Sequence, residues 1–382
     1  MNQPATTGRR LDTILLKVAS RCNMDCSYCY VYHMGDEGWR EQPKLMSPAV
    51  VESVAASLRT QLERQGDPFN IVLHGGEPLM LGVERLSDLC RTLRNALSAS
   101  CGIHVQTNGI LLSDPIIDVL VEFGVGVSVS IDGPAAVHDR FRKDHRQQAT
   151  HARVVAGIER LQRRDDARPL FAGVLAVVDP ASKPSEVYSC LKETGAPGLD
   201  FLVRDGNWDS LPFGKASADS TEYGEWLSGL MAEYLADPAP PRVRILDDML
   251  RLLLGGKSYK EGVGETDYGI LVVEPDGRIS KNDTLKVAHA SADRFERPWS
   301  ILRDELSGVL ASASFEDYWR QQRPTSSLCK MCPDLAICGG GMVAHRWSAK
   351  RGFDNPTVFC ADQRLLIANM RNAIRLADGD AA

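Results

Sequence analysis

Cys22-Asn23-Met24-Asp25-Cys26-Ser27-Tyr28-Cys29 sets three cysteines in CxxxCxxC spacing, a few residues after the apolar run Ile14-Leu15-Leu16-Lys17-Val18. Three closely spaced thiolates supply three ligands to a [4Fe-4S] cluster and leave its fourth iron open. Electron-transfer clusters are normally closed by four cysteines, so an open iron points to chemistry at the metal. Zinc is the rival reading, but structural zinc sites favour paired CxxC motifs, and no fourth ligand stands near. A second set, Cys329, Cys332 and Cys338 followed after a gap by Cys360, forms CxxCxxxxxC…C. Four thiolates suffice to close one further cluster, with a four-thiolate structural zinc as the alternative. Cys90, Cys101 and Cys190 lack ligand spacing and read as buried, inert thiols.

Such ligands need a scaffold. Short strand-like runs alternate with helix-like stretches at Thr13 to Val18, Asn70 to His74, Ile103 to Thr107, Gly126 to Ile131, Phe171 to Val178 and Asp200 to Arg204. Six such units indicate an α/β fold built on a parallel sheet. The first helix is the clearest: Ser47 caps it, Pro48 suits its first turn, and Val50, Val54, Leu58 and Leu62 recur on one face until Gly66. Further helices start near Gly82, Asp114, His151, Lys183 and Thr221. The breaker-rich Asp237-Pro238-Ala239-Pro240-Pro241 is the best boundary, dividing the chain into 1–240 and 241–382. Beyond it come a helix around Ile245 to Leu254 and a hairpin, Ile270 to Ile279, turning at Asp276-Gly277.

Ligands of parallel α/β proteins bind at the carboxyl ends of strands. There the second strand carries His74-Gly75-Gly76-Glu77-Pro78, with glycines that allow close backbone approach and a carboxylate suited to an ammonium. Gln106-Thr107-Asn108-Gly109 and Ser128-Val129-Ser130-Ile131-Asp132 put polar side chains at the same rim.

A chain of 382 residues with a formal charge of −6 argues against broad nucleic-acid binding. The polar start lacks the apolar core of a signal peptide, and no run is long enough to span a membrane. Ten cysteines without an export signal read as metal ligands and reduced thiols, so the expected compartment is the cytoplasm.

Taken together, the CxxxCxxC of Cys22, Cys26 and Cys29 and the Gly75-Gly76-Glu77-Pro78 segment resemble the radical S-adenosylmethionine (SAM) superfamily, over residues 11 to 205. The resemblance implies a partial (β/α)6 barrel whose open iron binds the amino and carboxylate groups of SAM. It places Gly75, Gly76 and Glu77 at the methionine amino group and Tyr28 near the adenine. Asn108 belongs to the same cofactor rim, with Ser130 and Arg142 as candidates for the carboxylate and ribose. The C-terminal cysteines resemble the SPASM extension of peptide-modifying radical enzymes, here cut down from its usual seven cysteines. Met342 and Asn282 stand where that pattern has cysteines. One auxiliary [4Fe-4S] cluster on Cys329, Cys332, Cys338 and Cys360 is therefore expected, for electron transfer or support. Asp283, beside the lost position, is a candidate acid, base or replacement ligand, although a carboxylate next to a turn is more often solvated.

The tail, from Cys338-Gly339-Gly340-Gly341 through His345-Arg346-Trp347 to Gly352-Phe353-Asp354-Asn355-Pro356, is similar to that of maturases forming three-residue cyclophanes in ribosomally made peptides (RiPPs). That resemblance implies hydrogen removal from a β-carbon of a precursor peptide and bonding of the carbon to a nearby aromatic ring. It implies as partners the precursor, a reductant such as flavodoxin or ferredoxin and, with the first strand starting at Thr13, a leader site elsewhere on the chain or on a separate leader-binding protein. His345 and Arg346 approach substrate or brace the cluster loop. The rivals are an anaerobic sulfatase maturase, which oxidises Cys or Ser to formylglycine, another RiPP maturase, and a non-catalytic iron-sulfur electron carrier.

Overall fold

The computed structural model describes residues 9–377 and 379. Among them, ten strands occur in chain order: β1 (Thr13–Ala19), β2 (Asn70–Gly75), β3 (Ile103–Thr107), β4 (Gly126–Ser130), β5 (Phe171–Val177), β6 (Gly198–Leu202), β7 (Arg242–Val243), β8 (Ile270–Val273), β9 (Arg278–Ser280) and β10 (Trp299–Ser300). The chain divides into two compact units. One holds the residues up to Ser130, Phe141–Ala172 and Tyr268–Arg320; the other holds Ile131–Arg140, Gly173–Asp267 and the chain from Gln321 onward.

In the first unit β1, β2, β3 and β4 pair in parallel, in that order. β8 pairs in parallel with the free side of β1, aligning Leu16 with Val273, and β9 and β10 extend that edge antiparallel. The expected hairpin at Asp276-Gly277 is therefore present. Although it follows the expected division at 240, its strand β8 packs directly on the first strand of the chain. Alternation does the sorting within the sheet. Ile14, Leu16, Ile71, Leu73, Val105, Val127 and Val129 are buried on one face. The helix Pro48–Gln65 covers hydrophobic surface with Val50, Val54 and Leu58, as its periodicity predicts. Its first turn is closed by the Ser47 hydroxyl accepting from the amide of Val50, and Gly66 ends it in the left-handed conformation that glycine adopts without strain.

In the second unit β6 pairs in parallel with β5 and with β7. The proline-rich stretch thus does not end the strand–helix alternation, since β7 and the helix Arg244–Leu253 follow it. The sixth strand lies two residues earlier than expected, because Leu199 and Phe201 are its buried positions and Leu202 closes the alternation. The long helix Cys360–Ala377 packs against Glu222–Ala236, where the Gly224 amide donates to the Asp362 carboxylate. The α/β class with a parallel sheet core is as expected. Among the described residues no helix is long and apolar enough to cross a membrane.

Candidate functional site

The first cysteine loop leaves β1 at Ala19 and ends in the helical turn Tyr30–His33, immediately after Cys29. Backbone bonds pin it from both sides: Asp25 N donates to Lys143 O at 2.8 Å, Ser27 N to Phe141 O at 3.0 Å, and Cys29 N to Cys26 O at 3.0 Å. Met24, 1% exposed, anchors the loop in the core while the three cysteines stay half-buried.

The Gly75-Gly76 pair supplies the clamp. A β-carbon on Gly75 would lie 2.1 Å from Ala19 O, and one on Gly76 would lie 2.1 Å from Tyr32 Oη and 2.3 Å from Arg21 O. The glycines are needed for the approach of β2 to the start of the cysteine loop, sealed by Gly76 N donating to Ala19 O and Glu77 N to Arg21 O. Glu77, 1% exposed, accepts from Leu79 N, Thr107 Oγ1 and Asn108 N at 2.6–3.0 Å. Those bonds leave roughly one of about four lone-pair positions for a further donor. Burial raises its pKa despite them. Asn108 reaches the cysteine loop through a 2.7 Å bond to Asn23 Oδ1. Arg142 Nη1 donates to Tyr28 Oη at 2.7 Å, and Gln106 Nε2 donates to Ser130 Oγ at 2.9 Å. Every residue expected at the first site thus belongs to this one unit.

Burial, then the Glu77 charge, pushes the Cys22 thiol up to about 12; burial pushes Cys29 to about 11. Such thiols ionise only against a bound cation, so loading a cluster here releases protons.

Asp283 is 1% exposed, not solvated. Lys17 Nζ lies 2.9 Å from its Oδ2, and Tyr30 Oη donates to the same oxygen at 2.8 Å. Lys17 also lies 3.5 Å from Glu274, which Lys286 approaches to 3.3 Å. Burial alone would raise the Asp283 pKa, but Lys17, His74 and Lys286 outweigh it and hold the carboxyl well below its usual range. It therefore stays ionised at neutral pH: a fixed anion with a free lone pair, a weak base and a poor acid. Lys17 is held above the ordinary lysine range, because Asp283 and Glu274 overcome its desolvation. His74, opposite Lys17 in the β1–β2 register, has a buried Nδ1 with no partner, and burial lowers its pKa. Lys17, Tyr30, His74 and Glu274 were not foreseen as site residues. The available signal was a lone lysine inside an otherwise apolar strand.

The second unit gathers Cys329, Cys332, Cys338 and Cys360. Two short helices, Ser327–Lys330 and Leu335–Cys338, carry Cys329 and Cys338, Cys332 lies in the connection between them, and Cys360 opens the C-terminal helix. Burial first, and then the neighbouring thiols, raises the pKa values of Cys329, Cys338 and Cys360, taking Cys338 to about 12. Gly339 turns the chain with φ of 66°, and a β-carbon there would strike Gly264 O at 2.0 Å. Among the described residues no three His, Cys, Asp or Glu side chains are placed to hold a single metal ion. A zinc ion would draw its thiolates to within about 3.8 Å of one another, whereas a cluster spreads them over different irons. By its chemistry, three thiols and no fourth protein ligand, the first donor set fits a [4Fe-4S] cluster with one open iron.

Asn282, where a cysteine was the alternative, caps the 3-10 helix Asp283–Val287 through Thr284 N. His345 pairs with Asp205 at 3.1 Å and packs its ring on Phe359, which is a bracing role. Cys90 and Cys101 are buried as expected, but Cys190 is half-exposed on the helix Pro184–Glu193.

Residues 16–166 match the family model of the Radical SAM superfamily. The cysteine-type anaerobic sulfatase-maturating enzyme of Clostridium perfringens (strain 13 / Type A) is 24% identical over 344 residues, 86% of this chain and 88% of that protein. The serine-type enzyme of Bacteroides thetaiotaomicron is 28% identical over 372 residues, 90% of this chain and 85% of that protein. Among solved structures, native anSMEcpe with bound AdoMet and the Cp18Cys peptide superposes with a TM-score of 0.83 at 21% identity, covering 97% of this chain and 99% of that one. Streptococcus suis SuiB gives 0.62 at 12% identity, over 88% of this chain and 73% of that one.

Proposed function

From the premise that the chain is an enzyme with a radical SAM domain at residues 16–166, we propose that it oxidises a peptide or protein substrate by removing hydrogen from a side-chain β-carbon. The observation that carries this reading is the three-thiol loop clamped by Gly75, Gly76, Glu77 and Asn108. In it, Cys22, Cys26 and Cys29 hold the open cluster, Glu77 offers its remaining lone pair to the SAM ammonium, and Arg142 orients Tyr28 beside the adenine. Ser130 serves the ribose side. Cluster and SAM together supply the radical that takes the hydrogen.

The chain's own contribution is charge and position. Asp283 accepts the proton that leaves the substrate, and Lys17 and Tyr30 fix its carboxylate so that little reorganisation is needed. Cys329, Cys332, Cys338 and Cys360 would hold a closed cluster, which would supply the acceptor for the second electron that leaves the substrate with that proton, and a reductant such as flavodoxin or ferredoxin serves the open one. A radical so reactive needs water excluded and one bond presented, so the substrate is a peptide seated along the rim.

Two finer reactions fit. Oxidation of Cys or Ser to formylglycine is supported by the sulfatase-maturating relatives, which match along most of their own length. A carbon–carbon cyclophane crosslink in a RiPP precursor is supported by the four-cysteine tail, in which Met342 and Asn282 replace cysteines. Formylglycine formation has the broader support, and it reverses the order expected from the tail alone. The test is anaerobic reaction with Cys- and Ser-containing sulfatase peptides, beside co-expression with small reading frames next to the gene. Formylglycine appears as an aldehyde that hydrazide captures. A crosslink removes two hydrogens, leaves no aldehyde and blocks fragmentation between the joined residues. If both substrate sets return unmodified while SAM is consumed, the peptide reading fails.

A further inference from the structure

Arg346 ends the 3-10 helix Val343–Arg346 and is 1% exposed. Two buried lysines of this unit have carboxylates: Lys215 lies 2.6 Å from Asp362, and Lys260 lies 2.7 Å from Asp200. Arg346 has none within 4.0 Å among the described residues. Its side chain makes one hydrogen bond, Nη2 to Gln322 O at 2.8 Å, and its buried Nε has no partner. It sits among the segments that carry the cysteines: the preceding residue, His345, accepts at its carbonyl from Val358 N at 2.9 Å, two residues before Cys360, and while burial lowers the Arg346 pKa, Cys329 and Cys338 act in the opposite direction. Its position is fixed, because Asn355 Nδ2 grips the Arg346 carbonyl at 2.9 Å and also bonds Ser348 Oγ and Gly352 O.

A guanidinium stays charged in proteins, and burying a charge without a counter-charge is strongly unfavourable. A [4Fe-4S] cluster on four thiolates is net anionic and gains a further negative charge on reduction. We infer that Arg346 is the counter-charge of the auxiliary cluster and sets its reduction potential, favouring the reduced form so that the cluster can accept an electron. Net charge and hydrogen bonds to sulfur are among the levers that set such potentials. The inference rests on the proposal that these four cysteines hold a cluster.

The test isolates that cluster in a Cys22→Ala, Cys26→Ala, Cys29→Ala background and follows its reduction by EPR-monitored redox titration. In that background Arg346 is kept or changed to Lys or Gln. Arg346→Gln is expected to lower the reduced-to-oxidised ratio at fixed potential at least tenfold, which is 59 mV for a one-electron couple. Arg346→Lys, which keeps the charge, is expected to stay within threefold of the parent. Loss of iron from the Gln variant alone also supports a required charge. Equal potentials in all three, or equal loss of iron from Lys and Gln variants, overturns the inference. A parent without iron at these cysteines overturns instead the cluster reading beneath it.

Discussion

Replacing Lys17 by Met keeps the length of the side chain and removes its charge, stranding Asp283 in the first unit. Both side chains are nearly inaccessible, 4% and 2% exposed, and their charged atoms are 2.9 Å apart. At an effective dielectric near 20 the attraction is about 6 kcal/mol, and Glu274 at 3.5 Å adds about 5 kcal/mol. Desolvation of the ammonium offsets much of this, and removing one partner of a buried pair typically costs about 3–5 kcal/mol. Glu274 keeps Lys286, so Asp283 bears the loss. The pH dependence follows from the signs. In the parent the Asp283 pKa is depressed, so its stabilisation is complete at neutral pH and lost only as pH falls below the ordinary carboxylate range. Without Lys17, burial raises that pKa above its unfolded value, and the folded variant gains protons as pH falls. Its deficit therefore shrinks on moving from pH 8 to pH 6. Urea unfolding of the anaerobically prepared holoenzyme, followed by tryptophan fluorescence, measures both effects. Adding Asp283→Asn to Lys17→Met should recover at least about 1 kcal/mol, since the stranded charge is gone. An unchanged midpoint in Lys17→Met, or a double variant as weak as the sum of the singles, refutes the reasoning.

Gly76→Ala sets a methyl against Tyr32 Oη and Arg21 O, so the cysteine loop must shift; iron analysis should show roughly half the parent content, one cluster of two being lost. Asp283→Asn keeps the shape but not the charge; product formation should fall about 10²–10⁴-fold, while SAM cleavage, read as 5′-deoxyadenosine by chromatography, continues. Ser47→Ala loses the cap of the helix Pro48–Gln65 and costs about 1 kcal/mol in urea unfolding, with turnover unchanged.

Local signals made much of the scaffold legible. Apolar alternation located β1 to β5 within a residue or so, and Ser47, Pro48 and Gly66 bounded their helix, because capping and glycine turns are short-range physics. The sixth strand slipped because Val203 and Arg204 continue a strand-like pattern past Leu202, where pairing with β5 stops. The three-thiol loop and its clamp were readable since spacing alone groups Cys22, Cys26 and Cys29. The charged cluster was not readable. Lys17, His74, Glu274 and Asp283 come from two strands, the residue just past a third and a 3-10 helix, and only the pairing of β8 with β1 brings them together. The functions of the glycines were likewise non-local: Gly75 and Gly76 looked like a ligand cradle, and their tightest contacts are with Ala19, Arg21 and Tyr32.

The central claim is that Cys22, Cys26 and Cys29 form the site of SAM cleavage, and anaerobic reduction with dithionite in the presence of SAM measures it directly. The parent enzyme is expected to release 5′-deoxyadenosine, Cys26→Ala to release none, and Cys338→Ala to continue releasing it. An iron-loaded parent that forms no 5′-deoxyadenosine, or a Cys26→Ala variant that forms as much as the parent, would contradict the account.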